Sequence, residues 1–243
     1  MKYRVLDLFC GSGGAAIGIE DAFIEHSLEV EIVGIDYDYS ARHNYPYTFL
    51  HRDLKKVVDG RNEISLPASF MRSLQPVRKG NWNFIWASPP CQVHSWAAEW
   101  MKAKGMIYVD MTGATQRLLE RMWKFYNVPS VTENVPQAPI RKDDRLVGDM
   151  FNLRIVRMRH FEIRGFKPRL LPIPRRNEKE RYYFSIAGHS WGSWKQWQDA
   201  MDIHHIIYPK PIKERKHLLA QCVPPAYSKK LTLEMIQQCL LNK

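Results

Sequence analysis

Tyr3-Arg4-Val5-Leu6-Asp7-Leu8-Phe9-Cys10-Gly11-Ser12-Gly13-Gly14 is the stretch on which the fold turns. Residues 3–9 are mostly apolar and read as a buried parallel strand. The run breaks into glycines and then into a helix beginning near Ala15, with Ile19, Ala22 and Phe23 along one face. Strand, glycine turn and helix together bring backbone N–H groups and a helix N-terminus close to a ligand. The next strand, residues 30–35, ends in Asp36. An acid about 20 positions beyond such a turn suits the two hydroxyls of a ribose. Read literally, Gly11 to Ala16 also satisfies G-x-G-x-x-[G/A], so a nicotinamide enzyme is a rival reading at this point.

A second stretch, Ala87-Ser88-Pro89-Pro90-Cys91-Gln92-Val93-His94-Ser95, follows an apolar run over 82–87. Two prolines cannot continue a ladder, so the chain leaves the sheet there and Cys91 falls on a loop at a strand's carboxyl end. A thiol so placed is a nucleophile or a small buried apolar group. Residues 128–136 read as another short strand leaving at a proline, which puts Glu133 at the same edge. That carboxylate either donates a proton to a substrate or pairs with an arginine. A third strand over 48–54 ends near Asp53, an acceptor for an adenine amino group or a cap for the next turn. Residues 151–161 read as paired strands in which Arg157 and Arg159 share a face, either clamping a ligand or lying on a solvated edge.

Elsewhere the pattern predicts a helical patch over 69–74, a mobile loop over 96–111, an amphipathic helix over 116–126 and a last helix over 226–241 with Pro225 in its first turn. Between 164 and 214, prolines, arginines (Arg169, Arg175, Arg176) and aromatics (Tyr182, Tyr183, Trp191, Trp194, Trp197) interleave without a period. That is the composition of a nucleic-acid surface, and equally of a loop-rich lid.

A length of 243 residues suits one sizeable α/β domain with a small appendage. Lys plus Arg number 36 against 25 Asp plus Glu, a formal charge of +11 that favours a polyanionic partner. Four scattered cysteines without a CxxC pair, and histidines without ligand-like spacing, argue against a disulfide framework or a structural zinc. No leader-like segment or membrane-spanning run is read, so the expectation is a soluble protein of a reducing compartment.

Taken in order, these residues resemble the DNA cytosine-C5 methyltransferase family, and in size its small phage-type members. Asp7 to Gly14 is similar to the family's first cofactor motif, and Asp36 and Asp53 stand where its ribose and adenine acids stand. Pro90-Cys91-Gln92 matches the nucleophile motif and Glu133-Asn134-Val135 the base-binding motif. Arg157-x-Arg159 looks like the Arg-x-Arg element, and Val223-Pro224-Pro225 like the last motif. The resemblance spans nearly the whole chain apart from 164–214. Two positions depart from the family pattern: Gln221 stands where Asn is usual, and Asp36 where Glu is common.

The resemblance implies an α/β, Rossmann-like fold dependent on S-adenosylmethionine. It divides the chain into a catalytic and cofactor-binding unit (1–163), a small irregular target-recognition region (164–214) and a C-terminal return (215–243). It implies cofactor contacts at Phe9, Gly11, Gly13, Asp36, Tyr37, Asp53, Pro90 and Val223. Catalytic roles fall to Cys91, Glu133, Arg157 and Arg159, and substrate contacts to Gln92, Ser95 and Asn134. The partner implied is double-stranded DNA with a flipped-out cytosine, met by a monomer without a metal in the cytoplasm of a bacterium or phage-infected host. In that chemistry Cys91 adds to C6, Glu133 serves the ring N3 and amino group, and the arginines hold O2 and keep the thiol deprotonated. Three rivals stand beside this: a transfer-RNA cytosine-C5 methyltransferase, an amino-methyltransferase suggested by Ser88-Pro89-Pro90, and a non-catalytic nucleic-acid-binding relative.

Overall fold

The computed structural model describes residues 2–66, 82–95, 99–174, 183–186, 191–205 and 212–241. The chain opens with β1 (Lys2–Leu8), α1 (Gly14–Glu25) and β2 (Glu29–Asp36), then β3 (Thr48–His51). A hairpin follows, β4 (Lys55–Val58) and β5 (Arg61–Ile64), and then β6 (Phe84–Ala87), α2 (Glu99–Ala103) and α3 (Thr112–Tyr126). Next come β7 (Ser130–Asn134), β8 (Asp144–Leu146), β9 (Ile155–Val156), β10 (Arg159–Arg164) and β11 (Phe184–Ser185). The chain closes with α4 (Trp194–Met201), α5 (Ile212–Gln221) and α6 (Pro225–Met235), which runs on as a π-helical turn, Ile236–Leu241.

Seven strands form one sheet in the order β3-β2-β1-β6-β7-β10-β8. β1 pairs in parallel with both β2 and β6, whereas β10 runs antiparallel to β7 and β8. Strand order therefore reverses at β1, and the carboxyl ends of β1 and its neighbours frame the crevice where open α/β sheets hold ligands. The antiparallel turn of β10 has its own consequence. His160 lies opposite Asn134, so the start of β10 meets the end of β7 at this same edge.

Both faces of the sheet are covered, which is why its strands are nearly continuously apolar. On one face α1 and α6 bury Ile19, Phe23, Tyr227 and Leu231. On the other α3 contributes Leu119 and Met122 against Leu6 and Ile85. A third cluster joins Ile155, Phe184, Trp197, Met201, Leu219 and Cys222 into the core of a small unit.

Several expectations are corrected. The helix expected over 116–126 begins at Thr112, because Asp110 Oδ1 accepts from the Thr112 N–H and holds the chain at the start of that turn. The loop expected over 96–111 contains α2; residues 96–98, like the patch over 69–74, lie outside the described residues. The paired strands expected over 151–161 are instead a 3-10 turn (Gly148–Phe151), a reversal at Asn152 with φ 55°, and the separate β9 and β10. Residues 164–214 are less irregular than their composition. α4 starts on a capping box in which Ser193 and Gln196 serve each other's backbone N–H. Trp197 is wholly buried, so it is core and not a stacking surface. Arg175, Arg176 and Tyr182 lie outside the described residues. α5 crosses the boundary expected at 214–215, and its Leu218 and Leu219 complete the small unit's core.

Candidate active site

A cavity of about 300 Å³ opens at the carboxyl edge and is lined from each strand that reaches it. Phe9, Gly11 and Ser12 come from the turn after β1, Asp36 and Tyr37 from β2, Cys91 and Gln92 from the loop after β6. Glu133 ends β7, Arg159 starts β10, and His217, Gln221 and Val223 close the far wall.

On the β1–β2 side, Phe9 holds φ 58°, a left-handed conformation rare for a residue with a Cβ and found where a site demands it. Gly13 caps α1 at φ 87°, and a Cβ there would lie 2.7 Å from the Pro46 ring. Both oxygens of Asp36 are fixed, Oδ2 by the Gly11 N–H and Oδ1 by the Asp38 N–H, each at 2.8 Å. A carboxylate oxygen accepts more than one bond, so this acid is oriented and still able to accept from a ligand. Burial pushes its carboxyl up, and the backbone bonds pull it back.

Asp7 sits one residue before the end of β1, only 1% exposed, and lines the same cavity. Its Oδ2 accepts from the Tyr45 hydroxyl at 3.2 Å, while Oδ1 is buried without a donor among the described residues. Tyr45 reaches it because the residue opposite on β2 is Gly34; a Cβ there would meet the Tyr45 hydroxyl at 2.6 Å and Cys10 Sγ at 2.7 Å. Burial, with Asp36 adding to it, pushes the Asp7 carboxyl up to about 8 against the pull of the Tyr45 bond. An orphaned, buried carboxyl oxygen beside an oriented second acid fits a ligand that carries both a cationic group and vicinal hydroxyls.

On the β6–β7 side, the Cys91 loop is fastened at several points. The Trp86 indole N–H donates to Ser88 Oγ (2.9 Å), and the Asn134 amide donates to the Pro89 carbonyl (3.2 Å). The His94 N–H donates to the Cys91 carbonyl (3.0 Å), closing a turn that leaves the thiol half-buried. Arg159 Nε lies 2.7 Å from Glu133 Oε1, an ion pair in which the carboxylate is 6% exposed. Glu133 thus takes the paired alternative, with its partner facing the same cavity. Burial pushes the Cys91 thiol up; Arg159 and Arg157 pull it down, Glu133 pushes it up, and burial prevails. Burial thus works against the deprotonated thiol that the resemblance implies, and the two arginines work for it.

Arg157 does not share a strand face with Arg159, since the chain breaks between β9 and β10. It is 5% exposed and donates to the Ile186 (2.9 Å) and Ala220 (2.7 Å) carbonyls, while its own carbonyl accepts from Tyr227 Oη (2.7 Å). It is a strut at the cavity wall that holds protein carbonyls. Asn134 is buried and committed to Pro89, behind the lining. Asp53 is exposed, off the lining, and caps the Lys55 N–H, the turn alternative. Gly13 faces Tyr45 and Pro46 and shapes the turn from beneath. Phe9, Gly11, Asp36, Tyr37, Pro90, Gln92, Ser95 and Val223 all line the cavity.

Sequence reading gave no role to Asp7, His217 or Cys222, which also line it. Asp7 left a signal, a carboxylate inside an apolar strand. His217 left none, because α5 has no clean period to mark its inward face.

The fold is Rossmann-like, a mostly parallel α/β sheet with a cavity at its carboxyl edge. Among solved structures the chain is similar to the Entamoeba histolytica methyltransferase EhMeth, at TM-score 0.66 and 12% identity, with 98% of each chain covered. No protein-family model matches the chain, and no curated protein sequence matches it.

Proposed function

We propose that this chain is an S-adenosylmethionine-dependent DNA cytosine-C5 methyltransferase. One observation carries the reading: Cys91, Glu133 and Arg159 meet in a single cavity with the glycine turn, Asp7 and Asp36. A dehydrogenase has no use for a thiol beside that ion pair, whereas addition to an electron-poor pyrimidine needs both.

Asp36 would accept from the ribose hydroxyls, Asp7 would pair its free oxygen with the ammonium group, and the Gly11 turn leaves open space beside them. S-adenosylmethionine supplies, when bound, an electrophilic methyl group on sulfur. Cys91 Sγ, as thiolate, adds to C6 of a cytosine taken out of the stack, which makes C5 enamine-like and able to accept that methyl group. Glu133 faces the ring N3 and amino group, and Arg159 holds both the carboxylate and O2, so charge developing on the ring meets oriented donors. The thiol proton must leave before addition, and the guanidinium of Arg159 lowers that cost.

The test is covalent trapping. Full-length protein, S-adenosylmethionine and duplex DNA carrying 5-fluorocytosine are expected to give a denaturant-stable complex, absent in Cys91→Ser. An RNA substrate trapped in preference to DNA would move the reading to RNA. Methylation of the exocyclic amine without any adduct would end it.

A further inference from the structure

The proposed reaction leaves one proton without an acceptor. Once C5 carries both its methyl group and its original hydrogen, the C5–H bond must break. Its electron pair then forms the C5–C6 double bond, the C6–S bond breaks, and Cys91 leaves as thiolate. On the reading above, we infer that His217 is the base that takes this proton, becoming an imidazolium that passes it to solvent.

Elimination among the described residues and position both lead there. Asp7, Cys10, Asp36 and Asp38 line the β1–β2 side, where the turn and its neighbours hold them. On the other side Glu133 is paired with Arg159, and Arg157 is a cation committed to two carbonyls. Cys222 packs against Gly14 with its thiol pushed up to about 12 by burial. Cys91 is itself bonded to the ring at this stage. His217 lines this wall, with an imidazole that has a lone pair to offer.

Its placement is also built. Leu218 and Leu219 are buried in the small unit's core, and the Ala220 carbonyl is held by Arg157 at 2.7 Å. The wall that carries His217 is therefore tied to the start of the strand that carries Arg159. The Gln221 amide nitrogen lies 3.1 Å from His217 Nε2, one helical turn on. The two ends of an amide are interchangeable in shape, and with its oxygen toward the ring the amide accepts from Nε2–H and the ring's lone pair stands on Nδ1. His217 is an exposed residue, which gives the proton its exit to water.

The experiment follows tritium. Full-length protein, S-adenosylmethionine and genomic duplex DNA tritiated at cytosine C5 are mixed, and tritium release, methyl incorporation and denaturant-stable adduct are read together. In His217→Gln, tritium release is expected to fall about 100-fold or more while methylated adduct accumulates on ordinary cytosine. In His217→Ala, added imidazole is expected to restore release. Release within about threefold of the natural chain in both variants overturns the assignment. So does a joint loss of methyl incorporation and release with no adduct, which would place His217 before methyl transfer. A natural chain that methylates no cytosine C5 overturns the proposed function, and this inference with it; an active natural chain with unaffected variants overturns the inference alone.

Discussion

In the proposed reaction Cys91 must give up its proton, and burial pushes that thiol up. With the thiol pushed up by burial, the thiolate that the proposed addition needs becomes more abundant as pH rises. The single-turnover methylation rate is expected to climb in step from about pH 6.5 to about pH 8.5, and a flat profile would remove the thiol from the rate-limiting step. Arg159→Ala withdraws the largest stabilising charge, so its profile is expected to lie to higher pH as well as lower in rate. Asp7 makes the opposite kind of statement. Its carboxyl is pushed up to about 8 in the folded chain, whereas the unfolded chain releases that proton near pH ~4. Between those values the folded form binds the extra proton, so this group's contribution to stability is full below the window and fades as pH rises through it. Asp7→Asn is expected to flatten that decline, measured as thermal midpoints at about pH 5.5 and about pH 8. The same variant is expected to weaken S-adenosylmethionine binding most at the alkaline end, where the natural carboxylate is charged. Equal calorimetric affinities at high pH would count against the ammonium contact.

Helices α1 and α6 meet so closely that a glycine, Gly18, lies at the contact. A Cβ on Gly18 would overlap the Pro225 carbonyl and Ser228 Oγ, the hydroxyl that donates to the Ala15 carbonyl at 2.8 Å. Gly18→Ala gains about 1 kcal/mol of helix propensity, but overpacking costs about 1–3 kcal/mol and the hydroxyl bond is lost with it. Overpacking is expected to prevail, lowering the urea midpoint without changing the denaturant slope. Arg157 joins elements in another way, through two charge-assisted bonds to α5 and to the segment after β11. Arg157→Ala is expected to cost about 3–5 kcal/mol, and Arg157→Lys less, since one bond survives. A variant as stable as the natural chain would show that the strut is idle. The sequence made the first kind of contact easier to anticipate than the second. Asp7-Leu8-Phe9-Cys10-Gly11 and Pro89-Pro90-Cys91 announce where strands end, because glycine and proline act locally on the backbone. Whether Arg157 faces a substrate or a pair of protein carbonyls depends on residues 29 and 63 positions away. No local period carries that information.

Across the whole molecule the same limit appears in how one hydrophobic cluster is assembled. Residues 164–214 read as a patternless region because the core of the small unit is assembled from pieces far apart in sequence. Trp197 supplies its bulk, Ile155 enters from one side and Leu218, Leu219 and Cys222 from the other. His205 Nε2 then donates to the Ser12 carbonyl at 2.6 Å, so this unit touches the glycine turn directly. A ligand held by the small unit and one held by the turn therefore share a joint. The charge of the chain bears on the first of these. A formal +11 predicts that duplex binding is dominated by phosphate contacts, each of which releases counterions. The logarithm of DNA affinity is expected to fall linearly with the logarithm of salt, with a slope between about −4 and −8 for roughly five to nine neutralised phosphates. Binding of S-adenosylhomocysteine, which carries no net charge, is expected to change little over the same range. Fluorescence anisotropy with a labelled duplex, at salt from about 50 to about 200 mM, separates the two. A duplex affinity that stays level across that range would mean that the excess lysines and arginines do not face nucleic acid, and would take double-stranded DNA out of the proposal while leaving the turn and its ligand in place.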